Sequence, residues 1–293
     1  GLGCNAFGNR IDESSTHHVI NAAIESGINF LDTAESYGDG KSESYMGTGL
    51  KGKRNDIFIA TKFGFTSSNV EGKNRGSSEN IRTSVEMSLR RLKTDWIDLY
   101  QLHRPDEGTP VIETMGTLED LVKEGKIRYY GCSYFTGKQM KEASESAKKQ
   151  GFAGFMTAQN AWNILEREIE EDLIPVCESE DITILPYYPI ARGLLTGKYK
   201  RNAEAPSGSR LEGNSYLDEA NFDVIEKLEQ YANDHGYDLL TLAISWLASQ
   251  PVTASVIAGA SKPEQSISNA ASSRWKMSPE NLSEISAIAS GGE

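Results

Sequence analysis

Eight short β-forming runs alternate with helical segments along the whole 293-residue chain, and that alternation admits few folds. Successive parallel strands need crossover connections, which intervening helices supply. The runs are Leu2–Cys4, Asn29–Asp32, Ile57–Phe63, Trp96–His103, Arg128–Ser133, Phe155–Asn160, Thr183–Pro189 and Ser255–Gly259. Several are apolar on both faces, as in Ile57-Phe58-Ile59-Ala60, which suits a strand with helices on one side and a filled barrel interior on the other. Eight alternations point to an α/β chain folded as a (β/α)8 TIM barrel, with an open doubly wound sheet as the second choice. Barrels of this kind reach such a length as one domain, and no linker interrupts the pattern, so residues 1–293 read as a single barrel domain.

The helical segments carry recognisable ends. Ser15 or Thr16 is placed to cap a helix running through Glu25, with Gly27 beyond it. Ser78 is expected to cap the next, Pro110 to sit in the first turn of another, and Pro251 to stop the segment Leu239–Ser249. Two stretches stand outside the alternation. Residues Ala191–Tyr216 form a long loop after the seventh strand, of a length that usually has a function, and extra C-terminal helices are expected at Pro263–Ser272 and Pro279–Ile288.

Composition narrows the function classes. A net charge of −12 argues against a nucleic-acid partner, which needs clustered Lys and Arg, but leaves room for an anionic cofactor in a local cationic pocket. No apolar stretch is long enough for a membrane span, and no secretory signal is visible, so a cytoplasmic location is expected. Cys4, Cys132 and Cys177 fit neither a disulfide framework nor a metal site, and no metal is expected.

In such barrels the chemistry sits at the C-terminal ends of the strands. Asp32, Lys62 and His103 end the second, third and fourth strands, and Tyr37 lies in the loop behind Asp32. Singly, each has an ordinary reading, as turn former, solvated lysine, packed histidine or loop aromatic. Jointly they form a proton-delivery group for carbonyl reduction, in which Asp32 keeps Lys62 charged, Lys62 draws the Tyr37 phenol towards working pH, and His103 orients the substrate oxygen.

The segment Asn29-Phe30-Leu31-Asp32-Thr33-Ala34-Glu35-Ser36-Tyr37-Gly38 resembles the signature of the aldo-keto reductase family. So do Ile59-Ala60-Thr61-Lys62, Asp98-Leu99-Tyr100-Gln101-Leu102-His103, Gly193-Leu194-Leu195-Thr196-Gly197-Lys198-Tyr199 and Ile257-Ala258-Gly259-Ala260-Ser261, in the same order along the chain. The resemblance implies reduction of an aldehyde or ketone by hydride from NADP(H), bound without a Rossmann domain, with Asp32, Tyr37, Lys62 and His103 as catalytic tetrad and Tyr37 as general acid. It further implies that Ser133 and Gln159 hold the nicotinamide amide and Tyr187 stacks beneath its ring. Arg192, Gly193, Leu194, Thr196, Gly197 and Lys198 would clamp the pyrophosphate, with Arg210 adding charge. Gly259, Ser261, Lys262, Gln265 and Asn269 would take the adenosine half, and Ser261 and Lys262 a 2′-phosphate at a helix N-terminus.

Three positions depart from the family pattern. Tyr134 stands where relatives commonly carry Asn, Tyr188 replaces a common Ser, and Asn5 replaces a larger pocket-wall residue. Two other readings stay open: a cofactor-binding, redox-sensing accessory subunit, and an NAD-dependent sugar or polyol dehydrogenase. The expected partner is a small carbonyl substrate, and the sequence leaves oligomeric state unknown.

Overall fold

A computed structural model describes residues 1–65 and 74–291. Eight parallel strands form one sheet: β1 (Leu2–Gly3), β2 (Phe30–Asp32), β3 (Phe58–Phe63), β4 (Ile97–Leu102), β5 (Ile127–Ser133), β6 (Thr157–Gln159), β7 (Thr183–Ile184) and β8 (Ala258–Gly259). Their order is β7-β6-β5-β4-β3-β2-β1-β8, so only the β8–β1 junction is out of sequence. The two outer segments also approach each other, through parallel bridges Ile184↔Thr253 and Tyr187↔Ile257. A small apolar cluster of Ala60, Leu99, Leu185 and Ile257, joined by Phe30 and Phe58, links β3 and β4 to the flanks of β7 and β8, which places it inside the curl of the sheet. This curled, helix-covered sheet is consistent with a (β/α)8 fold.

Strand composition explains the pairing. All six residues of β4 are buried, as are the last five of β3, because helices cover one face and the sheet curls over the other. The strands β6, β7 and β8 are shorter than their sequence runs, and prolines account for part of this. Pro186 and Pro189 have no N–H for a ladder, so β7 stops at Ile184.

The outer layer contains α1 (Glu13–Glu25), α2 (Lys41–Gly49), α3 (Ser78–Leu92), α4 (Val111–Lys123), α5 (Gly137–Gln150), α6 (Ile169–Ser179), α7 (Ser215–Asp218), α8 (Phe222–Asp234), α9 (Leu239–Ala248), α10 (Pro263–Ala271) and α11 (Pro279–Ala289). Three helix starts differ from those expected. Asp12, not Ser15 or Thr16, caps α1 by accepting from the Ser15 amide at 2.9 Å. Ser77, one residue ahead of Ser78, caps α3, and Pro110 is the residue before α4, in extended conformation. The helix α2 escapes sequence patterning altogether: Lys-Ser-Glu-Ser-Tyr-Met-Gly-Thr-Gly holds one aliphatic side chain and two glycines, and it buries Ser42 and Glu43 beside Met46.

The α2–α3 contact depends on a missing side chain. A Cβ at Gly47 would lie 2.3 Å from the Arg91 carbonyl oxygen and 2.8 Å from the Leu92 carbonyl carbon, both fixed backbone. Gly47→Ala therefore forces α2 off α3, and we expect it to lower stability by about 1–3 kcal/mol, read as a drop in thermal midpoint. An unchanged midpoint would show that the two helices are not packed in this way.

Candidate functional site

Parallel pairing lines up the strand ends on one rim. Asp32 closes β2, Lys62 is the penultimate residue of β3 and pairs with Gln101 in register, and the amide of His103 donates to the Phe63 carbonyl just past β4. Ser133 and Gln159 end β5 and β6 side by side, and Gly259 ends β8. Tyr37 reaches the same rim from the turn Tyr37–Gly40, whose tight path needs Gly38: φ there is +58°, and a Cβ would meet Gly8 backbone at 2.9 Å.

The Lys62 ammonium is fully buried, 2.6 Å from Asp32 Oδ2 and 2.8 Å from the Thr33 carbonyl oxygen, to which it donates. On Asp32 Oδ1, the Gln159 amide donates at 2.8 Å and Gln101 at 3.4 Å. Burial pushes the Lys62 pKa down, but Asp32 and Tyr37 together outweigh it, and the ammonium is held above its ordinary range. Lys62 Nζ lies 5.2 Å from the Tyr37 ring centroid, and its charge favours ionisation of the hydroxyl. The expected depression of the Tyr37 pKa is corrected here: burial raises it by more than Lys62 lowers it, so the phenol holds its proton more firmly than a free tyrosine.

His103 packs edge-on to Tyr37, with ring centroids 5.9 Å apart. Burial first, then the charges of Lys62, Arg104 and Arg75, hold its pKa well below the ordinary value, so the ring is neutral at pH 7. Its Nδ1 has no hydrogen-bond partner among the described residues. A neutral ring beside an ammonium and a phenol provides a donor without a competing charge.

A cavity of about 390 Å³ opens above this group. Its lining includes Asp32, Tyr37, His103, Ser133, Gln159, Tyr187, Arg192, Gly193, Lys198, Arg210, Gly259, Ser261, Lys262 and Gln265. Lys62 lies behind Asp32 rather than on the surface of the cavity. Other sequence candidates fall outside the lining. Leu194 is a core residue, Thr196 ties the loop by donating to the Gly193 carbonyl at 2.7 Å, Gly197 takes a left-handed turn at φ +75°, and Asn269 donates to the Gly259 carbonyl at 3.4 Å. Arg192 is already committed, bonded to Glu166 at 2.5 Å and flanked by the Tyr188 and Tyr216 rings. The Gln159 amide is likewise engaged by Asp32, and the Ser133 hydroxyl donates to the Gln159 carbonyl at 2.7 Å.

Sequence reasoning missed Arg10 and the run Ser207-Gly208-Ser209, which also line the cavity. Arg10 precedes α1 in the loop after β1, where position at the rim was the available signal. Tyr134 and Tyr188 both adopt left-handed backbone, with φ +62° and +57°. Asn tolerates that conformation and Tyr does not favour it, so the aromatic at 134 is held there by its surroundings.

The charges of the lining suit an anion. Arg10, Lys198, Arg210 and Lys262, with Arg192 paired to Glu166, face a cavity whose one carboxylate among the described residues, Asp32, is paired with Lys62, although the chain as a whole carries −12. At the start of α10, the amides of Ser261 and Lys262 and the Ser261 hydroxyl all donate to Gln265 Oε1, at 2.8, 3.1 and 3.2 Å. Three donors converging on one acceptor beside Lys262 make a cradle for an oxyanion. These residues therefore fit a phosphate-bearing nicotinamide cofactor. No group of three or more His, Cys, Asp or Glu among the described residues is placed to hold a metal, and no described helix is long and apolar enough to cross a membrane.

Comparison with known proteins gives the same direction. A sequence profile of the aldo/keto reductase family matches residues 1–290. The aldo-keto reductase YhdN of Bacillus subtilis (strain 168) is 34% identical, over 98% of this chain and 88% of its own. The glycerol dehydrogenase AKR11B4 of Gluconobacter oxydans superposes with a TM-score of 0.84 at 30% identity, covering 99% of this chain and 90% of its own. An aldo-keto reductase of Klebsiella pneumoniae in complex with NADPH superposes at 0.77 with 26% identity, covering 99% and 90%.

The neutral state of His103 makes stability depend on pH. In the unfolded chain this histidine gains a proton as pH falls through about 6.5, and in the fold it does not, so protons favour unfolding by up to about 1.4 kcal/mol per pH unit below that value. We expect a His103→Gln variant to lose less thermal stability than the wild type between pH 7 and pH 5. Parallel losses would place the ring in a more solvated environment than the one described.

Proposed function

The chain belongs to the aldo-keto reductase family, whose general activity is NADPH-dependent carbonyl reduction, and on that premise we propose that it is a cytoplasmic reductase of an aldehyde or ketone using NADPH. The observation that carries the proposal is the buried Asp32–Lys62 pair placed against Tyr37 at the mouth of a cation-lined cavity.

When bound, the reduced nicotinamide supplies the hydride that adds to the carbonyl carbon. The protein's own part is the oxygen. Tyr37 donates its phenolic proton to the oxygen as negative charge develops there, and the Lys62 ammonium stabilises the phenolate left behind. Asp32 keeps Lys62 protonated in a position without water, and its second oxygen is satisfied by Gln159 and Gln101, so the carboxylate does not turn towards the substrate. His103 offers a neutral ring donor to the same oxygen and excludes water from that wall. The raised pKa of the buried Tyr37 keeps the acid loaded, and charge developing on the substrate is what draws the proton out.

Lys198, Arg210 and Arg10 supply cations for the diphosphate part of the cofactor, and Gly193 lets backbone approach it. Ser261 and Lys262 take the 2′-phosphate once the Gln265 amide oxygen is displaced, which is the basis for preferring NADPH to NADH. Ser133, Gln159 and Tyr187, which line the cavity with Tyr37 and His103, would hold the nicotinamide when it is bound.

A second reading is favoured by the likeness to a glycerol dehydrogenase: oxidation of a polyol with NAD+, in which Tyr37 as phenolate accepts the proton. Cofactor preference separates the two. The reductase reading expects tight NADPH binding by fluorescence titration, with Lys262→Gln weakening NADPH by about tenfold and NADH far less. A redox-sensing accessory subunit would show at most a few slow turnovers of NADPH with aldehydes. For the reductase we expect sustained turnover, and Tyr37→Phe to lower kcat by about 100-fold or more while NADPH still binds. Turnover unaffected by Tyr37→Phe would refute the proton-donor assignment.

A further inference from the structure

The tetrad and the cofactor residues leave one charged cluster at the site without a role. Next to His103, at 5.2 Å between ring centroids, stands Phe65, half-exposed, and two guanidiniums pack on it: Arg104 at 5.1 Å and Arg75 at 5.7 Å from the ring centre. Arg104 also lies 4.0 Å over the ring of Tyr134, which lines the cavity and contacts Tyr187. The loop bearing Phe65 is fixed from below, because the buried Glu35 carboxylate accepts from the Gly64 and Phe65 amides at 2.8 and 3.4 Å.

Neither guanidinium has a carboxylate within ion-pair distance among the described residues. The acid nearest Arg104 in sequence, Asp106, is spent on the amides of Gly76 and Gly108, at 2.8 and 2.9 Å. Arg75 Nε is buried with no hydrogen-bond partner among the described residues. In a chain of net charge −12, two cations with no ion-pair partner among the described residues, beside the tetrad histidine, offer a place for an anion. Both charges reach the site, since they act on His103, and Arg104 acts on the Tyr187 hydroxyl as well. A stacked guanidinium uses its face, and its N–H donors point outward in the plane, ready for a two-point contact with a carboxylate.

We propose that this cluster is the part of the substrate site that receives a carboxylate, so that the chain reduces a carbonyl compound carrying a carboxylate group, with Arg104 as its anchor and Tyr134 as the residue that positions Arg104. The proposal rests on the reductase reading above. It gives Tyr134 a purpose: an asparagine there would suit the left-handed backbone better but would remove the closer of the two rings on which Arg104 lies, leaving only Phe65 at 5.1 Å.

The test compares two aldehydes of the same shape, 4-carboxybenzaldehyde and 4-formylbenzamide, with NADPH. The carboxylate is expected to have a kcat/KM higher by about tenfold or more, mainly through a lower KM, with a preference that shrinks as salt is raised. Arg104→Met should bring the ratio towards one, and Arg104→Lys, which keeps the charge but not the fork, should restore part of it. Equal kcat/KM values in the wild type would overturn the proposal without touching the reductase reading. Calorimetry with the two corresponding alcohols reads the same preference without turnover. If neither aldehyde is reduced, the reductase reading fails, and tighter binding of 4-(hydroxymethyl)benzoate that is lost in Arg104→Met still upholds the carboxylate site. Equal binding of the two alcohols overturns it.

Discussion

A lysine ammonium and an aspartate carboxylate, 2.6 Å apart and out of reach of water, set the terms for everything at the rim of this sheet. Two charges taken out of water are expensive, and further hydrogen bonds offset that cost, from the ammonium to Thr33 on one side and from Gln101 and Gln159 to the carboxylate on the other. The pair and these three partners come from four different strands or their ends, β2, β3, β4 and β6. The pair therefore fixes the register of a large part of the sheet as much as it serves chemistry, and the cost of an unpaired charge opposes slippage of any one strand.

The acidic chain and its cationic cavity are two sides of one design. Negative charge is spread over an exterior that has no anion to hold, and the cations needed at the cavity are drawn from scattered places: the loop after β1, the segment after β7 and the start of α10. None of these is a basic run in sequence. The clustering arises only when parallel strands bring their C-terminal ends together.

The sequence carried the elements whose signals are periodic or end-marked. The strand runs around Ile57 and Trp96 could be read because apolar side chains fill both faces, and Asp32, Lys62 and His103 could be placed because they end such runs. What was not legible depends on contacts distant in sequence. The α2 helix is stabilised by burying Glu43 against Thr61 of β3 and Arg91 of α3 and Ser42 against Thr33 and the Cys4 carbonyl, not by an apolar stripe, and so left no pattern. Arg10 lies in the loop after β1, where Gly8-Asn9 signals a turn but nothing local says that the turn carries the guanidinium into the cavity. Burial decides the Tyr37 proton, and burial is not visible in a string of residues, so the ammonium's pull was legible and the larger opposing effect was not. The engagement of Arg192 by Glu166 across 26 residues belongs to the same class.

The cradle at the start of α10 already has a tenant. With the Gln265 side chain turned back onto three donors, that end of the molecule is complete before any ligand arrives, and an incoming group has to evict a neutral acceptor to enter. A ribose hydroxyl offers those donors no more than the amide it would replace, whereas a dianion offers much more. An internal mimic of this kind works as a threshold: a weak acceptor gains little by replacing a contact the protein already makes with itself, and on the proposed cofactor assignment only a group that those donors bind more strongly than the amide would gain from displacing it.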